Sequence, residues 1–165
     1  HALSCIAELI QHKGKYKNSW IWWIWTVWFF LLSQGFWVSV YSLWHDCENW
    51  TLFKFSFISL QASLFYFCFY LFFNRKNEIE NDLEASFNKN KRIVFILIGV
   101  LFLLMFVVSP ALSEGKRNFI PEVKVSGITV PVLFWTFAFI KNKIANYIFA
   151  LFMLSQFLLQ LLSDI

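Results

Sequence analysis

Trp20-Ile21-Trp22-Trp23-Ile24-Trp25-Thr26-Val27-Trp28-Phe29-Phe30 opens a run that reaches Trp44 without a single charged side chain. Wound as a helix at about 1.5 Å per residue, the run spans roughly 37 Å, more than the ~30 Å hydrocarbon core of a bilayer. A water-soluble domain of 165 residues has no use for such a helix. The stretch decides the fold class: lipid is the solvent to reason in.

The rest of the composition agrees. Hydrophobic residues make up 59% of the chain and charged residues 15%, against about 25% charged in soluble domains. Such a deficit fits several buried spans rather than one anchor on a globular body. The longest polar stretch, Asn74 to Arg92, is too short to bury a core of its own. One transmembrane domain, 1–165, is the natural count.

Six spans are expected, all helical. Ala2 to Ile10 reads as the end of a first helix, truncated because the sequence opens at His1 already in helical pattern. No basic leader or cleavage-site pattern is evident, so no signal peptide is expected. Ser19 to Trp44 and Thr51 to Phe73 are the second and third spans. Ile93 to Ser109 is the fourth, ended by Pro110, which a helix does not easily continue through. Ile128 to Ile140 is short and interrupted by Pro131, so it either extends back toward Val123 or forms a re-entrant or kinked segment. Ile144 to Leu162 is the last.

The connecting charges give this series a direction. Lys13, Lys15 and Lys17 lie between the first and second spans. Arg75, Lys76, Lys89, Lys91 and Arg92 lie between the third and fourth, and Lys141 and Lys143 between the fifth and sixth. The opposite loops hold only Lys116, Arg117 and Lys124. The bias places the first set in the cytoplasm, the chain in the inner (plasma) membrane and the C-terminus outside. A net charge of +4 distributed in this way predicts topology and attraction to anionic lipid, and no nucleic-acid partner. Between the third and fourth spans, Ile79, Leu83 and Phe87 recur every four residues, with acidic residues early and basic ones late. That pattern predicts an amphipathic cytoplasmic segment at the interface, or a helical extension of the third span.

Polar side chains fall into stripes rather than a converging set. On a helical wheel His1, Ser4, Cys5, Glu8, Gln11 and His12 share one arc of the first span. His1 lies near the bilayer midplane if Gln11 marks the boundary, and ionisable groups at such depth usually face a bundle interior or a wet cavity. Ser33 and Gln34 mark one edge of the second span. The third carries Ser56, Ser59 and Ser63 on one side and Lys54, Gln61 and Cys68 on another, and Ser59-x-x-x-Ser63 allows close helix approach. Gln156 and Gln160 lie one turn apart in the last span. The intramembrane candidates are therefore His1, Ser4, Glu8, His12, Gln34 and Gln61. Lys89, Lys91 and Arg92 are candidates for cytoplasmic docking or lipid contact.

Catalytic and metal sites are not expected. Cys5, Cys47 and Cys68 form no CxxC pair, disulfide framework or zinc spacing. His45-Asp46-Cys47-Glu48 are consecutive and read as a solvated turn. A phosphate-binding glycine loop, HExxH, GxSxG and CxxCH are all missing, so no cofactor is expected. The tryptophans of the second span read as interface anchors, Trp20, Trp22, Trp23 and Trp25 at one end and Trp44 with Trp50 at the other.

His1-x-Leu3, the basic turn after it, the span ending in Gln34-Gly35-Phe36-Trp37, and the run Asp82-Leu83-Glu84-Ala85-Ser86-Phe87-Asn88-Lys89-Asn90-Lys91-Arg92 together resemble an uncharacterised family of small bacterial multi-pass integral membrane proteins. The resemblance extends from His1 to about Met105. It implies the same topology and supplies no activity.

The sequence thus leads to a polytopic all-α bundle acting by helix-mediated assembly, as a homo-oligomer or with a membrane or cytoplasmic protein. A pore, an ion or proton pathway, or a transport subunit would be such an assembly. Two other readings stay open: an accessory regulator of a cytoplasmic system, and a membrane-embedded redox or lipid-acting enzyme using His1 and Glu8.

Overall fold

A computed structural model describes residues 20–45, 47, 49–73, 83–113 and 125–163. The run opened by Trp20 forms α1, Trp20–Trp44. Asn49 to Thr51 turn the chain into α2, Leu52–Phe73. Helix α3 covers 83–113: Leu83–Leu103 is regular, Leu104–Val108 is a π-turn, and Ser109–Ser113 is α-helical again. Val125–Phe139 is α4 and Lys143–Ser163 is α5. Among the described residues there are five helices and no strand. Three helical stretches, Trp20–Trp44, Leu52–Phe73 and Phe87–Val108, are long and apolar enough to cross a membrane. The expected first span, with His1, Ser4, Glu8 and His12, lies outside the described residues, as do residues 74–82 of the expected amphipathic segment.

Contacts between the helices give their directions. Trp22 stacks on Phe72 and Phe36 on Phe65, so α1 and α2 are antiparallel. Asn90 bonds to Leu71 while Gln61 bonds to Ser109, so α2 and α3 are antiparallel too. Along α3 and α4, Lys91 meets Ile140, Ile96 meets Trp135 and Phe106 meets Gly127, again an antiparallel register. Trp25 meets Phe149 and Gly35 meets Phe157, so α1 and α5 run the same way. The five helices therefore alternate in direction. The α1 N-terminus, the α3 N-terminus and the α4–α5 connection share one end of the bundle.

Two prolines expected to interrupt helices are absorbed. At the π-turn the Ser109 N–H bonds to the Leu104 carbonyl, five residues back. The wider turn makes room before Pro110, whose ring would otherwise strike the carbonyl four residues earlier. The helix that was expected to stop at Ser109 thus continues to Ser113. Pro131 lies inside a continuous α4. Residues 83–92 extend the fourth expected span backward rather than the third forward.

The core is aromatic. Trp22, Trp25, Trp28 with Phe29, Leu32 and Phe36 mark one face along successive turns of α1 and are all buried. Trp25 packs on Phe95 at 4.9 Å, Phe149 at 5.7 Å and Phe134 at 6.1 Å between ring centroids. Edge and offset contacts of this kind add about 0.5–1.5 kcal/mol per pair beyond area burial. Between helices in lipid, packing of this kind takes the place of the hydrophobic effect. Trp20 is exposed and Trp44 pairs with Trp50 at 5.8 Å. Trp22 and Trp25, read above as interface anchors, instead face inward; their position along the run drew the eye from their position around it.

Candidate functional site

Three consecutive residues of α3 tie its N-terminal end to its neighbours. Asn90 Nδ2 donates to the Leu71 carbonyl of α2 at 2.9 Å. Lys91 Nζ donates to the Ile140 carbonyl at the end of α4 and, at 2.7 Å, to Asn146 Oδ1 in α5. Arg92 lays its guanidinium over Phe139 of α4, 4.6 Å from the ring centroid. Successive helical residues are 100° apart, so one tripeptide reaches three partners. Lys91 is 5% exposed and also lies 5.7 Å from the Phe95 ring centroid. A cation beside the carbonyl that follows the end of α4 is favoured by that helix's dipole. Asn142 Oδ1 accepts from the Ile144 and Ala145 N–H groups at 2.9 and 3.4 Å, capping α5.

A second polar contact lies toward the other end. Gln61 Nε2 donates to Ser109 Oγ at 2.8 Å, with Gln61 1% and Ser109 2% exposed. Ser109 closes the π-turn, and the next residue, Pro110, brings no N–H. Gly127 of α4 comes close here: a Cβ on it would lie 3.2 Å from Phe106 Cβ. Gln61→Leu should leave the Ser109 hydroxyl without its donor and cost about 1 kcal/mol. A thermal transition in detergent matching wild type would show that this bond carries nothing.

The remaining candidates divide by exposure. Gln34 is exposed on α1, with Nε2 3.4 Å from Ser33 Oγ. Lys89 and Arg92 are exposed, whereas Lys91 is turned inward. Ser56, Ser59 and Ser63 face outward on α2, and Ser63 Oγ donates to the Ser59 carbonyl at 2.8 Å. In the α1–α2 turn Lys54 Nζ donates to Cys47 Sγ at 3.1 Å, and the His45 ring stacks on Tyr41. Sequence reasoning missed Asn90, Asn146 and Ser109. A lone Asn inside an apolar run was the available signal for Asn146, and a Ser before Pro for Ser109.

Among the described residues no group of three or more His, Cys, Asp or Glu could hold a metal. Thr26 bonds back to the Trp22 carbonyl of its own helix, whereas Gln61, Asn90 and Lys91 donate between helices, to hydroxyl, carbonyl and amide oxygens. Chemically these three are latches: they fix register and direction.

Fold and site together define an all-helical protein with three candidate membrane-spanning helices. Comparison with protein-family profiles, with curated proteins and with solved structures gives no match.

Proposed function

We propose that the chain is a non-enzymatic, multi-pass integral membrane protein that works by assembly, with the outward face of α2 as the contact between two copies. The observation that carries this reading is the pattern on that face. Ser56, Ser59, Ser63, Tyr66 and Tyr70 follow at spacings of three, four, three and four, the 3.5-residue period of a helix seam. The three serines and Tyr66 are exposed, and α2 is the least covered candidate span, 22% buried against 44% for the other two.

Serines let two backbones approach closely. In hydrocarbon a serine hydroxyl can bond back to its own helix, as Ser63 does to Ser59. The exposed Tyr66 hydroxyl cannot reach its own backbone and takes a partner from the facing copy. Hydroxyls both donate and accept, so the seam is complementary to itself across a two-fold axis along the membrane normal.

The same reading orients the bundle. Lys89, Lys91, Arg92, Lys141 and Lys143 share the end where α1 begins, and Lys54 lies at the other. By the positive-inside tendency the first end is cytoplasmic. The enzyme reading rests on His1 and Glu8, which lie outside the described residues. The regulator reading retains Lys89 and Arg92 as its exposed cations.

Disulfide trapping tests the interface. In a background of Cys5→Ser, Cys47→Ser and Cys68→Ala, Ser59→Cys and Ser63→Cys should give a covalent dimer in native membranes, while Val27→Cys on the outward face of α1 should not. Equal trapping at Val27, or none at either serine, would overturn the α2 interface.

A further inference from the structure

The bundle end that carries Lys91 also carries a cationic rim. Arg92, Lys141 and Lys143 are exposed, and Lys89 is exposed one turn before Arg92 on α3. Each of the first three borders an apolar run: Arg92 precedes Ile93, Lys141 follows Phe139 and Ile140, and Lys143 precedes Ile144. Those apolar neighbours are turned outward as well, with Ile93 54%, Phe139 58% and Ile144 69% exposed. The surface is cationic at its edge and apolar directly beneath.

Its parts are held in place. Stacking over Phe139 uses one face of the Arg92 guanidinium and leaves its N–H edge for an acceptor. Lys91 grips the Ile140 carbonyl, which sets Lys141, the next residue, beside α3. Asn142 caps α5 and stiffens the turn between Lys141 and Lys143. Among the described residues neither Arg92 nor Lys141 has a carboxylate partner. Glu84, on the same helix as Arg92, begins about 12 Å further along its axis.

We propose that this rim binds one anionic phospholipid, the phosphate held between Arg92 and Lys141 and the acyl chains lying along the apolar residues beneath. Charge complementarity selects a phosphate, and a planar N–H fork suits phosphate oxygens. The exposed Ile93, Phe139 and Ile144 select an amphiphile over a free anion. Basic pockets between helices at the cytoplasmic side are recognised sites for anionic headgroups. The proposal is independent of whether the chain self-associates.

Native mass spectrometry of the full chain from detergent micelles tests it, with phosphatidylglycerol and phosphatidylcholine titrated separately. One phosphatidylglycerol should be retained in preference to phosphatidylcholine, and retention should survive salt that screens diffuse surface attraction. Arg92→Gln with Lys141→Gln should weaken retention roughly twenty-fivefold, at about fivefold per basic contact. Arg92→Lys, which keeps the charge and loses the fork, should fall between, and Lys54→Gln at the opposite end should match wild type. Equal retention of the two lipids, undiminished retention by the double variant, or displacement of the lipid by inorganic phosphate would each overturn the proposal. Arg92→Lys keeps the test decisive if the double variant fails to fold.

Discussion

Lys91→Met should lower the stability of the bundle by about 2–4 kcal/mol, the largest effect expected of any single polar substitution in the chain. The ammonium satisfies the Ile140 carbonyl and Asn146 Oδ1 at once. Removing it leaves one buried acceptor, Asn146 Oδ1, and one half-buried acceptor, the Ile140 carbonyl, unpaired, at about 1–3 kcal/mol each, eased by whatever water reaches the bundle end. The mechanism makes a further demand. If the loss comes from orphaned acceptors, Lys91→Met with Asn146→Leu should recover part of it, because the second change removes one orphan. Thermal unfolding in one detergent, run as a double-mutant cycle, checks both. A Lys91→Met protein as stable as wild type would mean that the latch between α3, α4 and α5 is not formed.

Gly99→Ala should cost about 1–3 kcal/mol through overpacking, although alanine is the better helix former. A Cβ at position 99 would collide with Trp135 Nε1 and come within 2.6 Å of its Cδ1. The indole is not free to swing aside, because its Nε1 donates to the Ile96 carbonyl at 3.1 Å. Either that bond breaks or α3 and α4 separate along the register set by Lys91–Ile140 and Phe106–Gly127. Trp135→Ala in the same chain should relieve the clash, so the double variant should be more stable than the sum of the two single losses predicts. Additivity of the two, with Gly99→Ala alone neutral, would show that the helices do not approach closely there.

Much of this architecture could be read from the sequence, for physical reasons that differ by element. The Trp20–Trp44 run was legible because length and lack of charge are sufficient signals for a span. Gln61 stood out because an amide in a Phe-rich helix needs a partner, and it has one in Ser109. The helix ends were less legible: Pro110 signals a stop only while the turn before it is α-helical, and the π-turn removes that condition.

Charge misled at one position. Within the run of residues 89–92, Lys91 looks like its neighbours, and only the helical wheel together with the place of α4 turns it inward. Asn146 carried the signal of an amide in an apolar run, but its partner could not be named, since Lys91 lies 55 residues away on another helix. The tryptophans show the same limit: their clustering at one end suggested an interface belt, while the helical period placed Trp22 and Trp25 in the core and left Trp20 exposed. Candidates His1, Ser4, Glu8 and His12 lie outside the described residues. Of the proposed seam, the serines were grouped on one side of their helix from the start. Their outward direction and their continuation into Tyr66 and Tyr70 required the positions of α1 and α3.

The mass of the protein in lipid nanodiscs, counted one particle at a time, tests the assembly account most directly. The account predicts two copies per particle for the wild-type chain. Ser59→Leu with Ser63→Leu, which removes two hydroxyls and holds the backbones apart, should give one copy without loss of helix content. A wild-type chain that stays single at every protein-to-lipid ratio would contradict the account, as would a Ser59→Leu/Ser63→Leu chain that pairs as well as wild type.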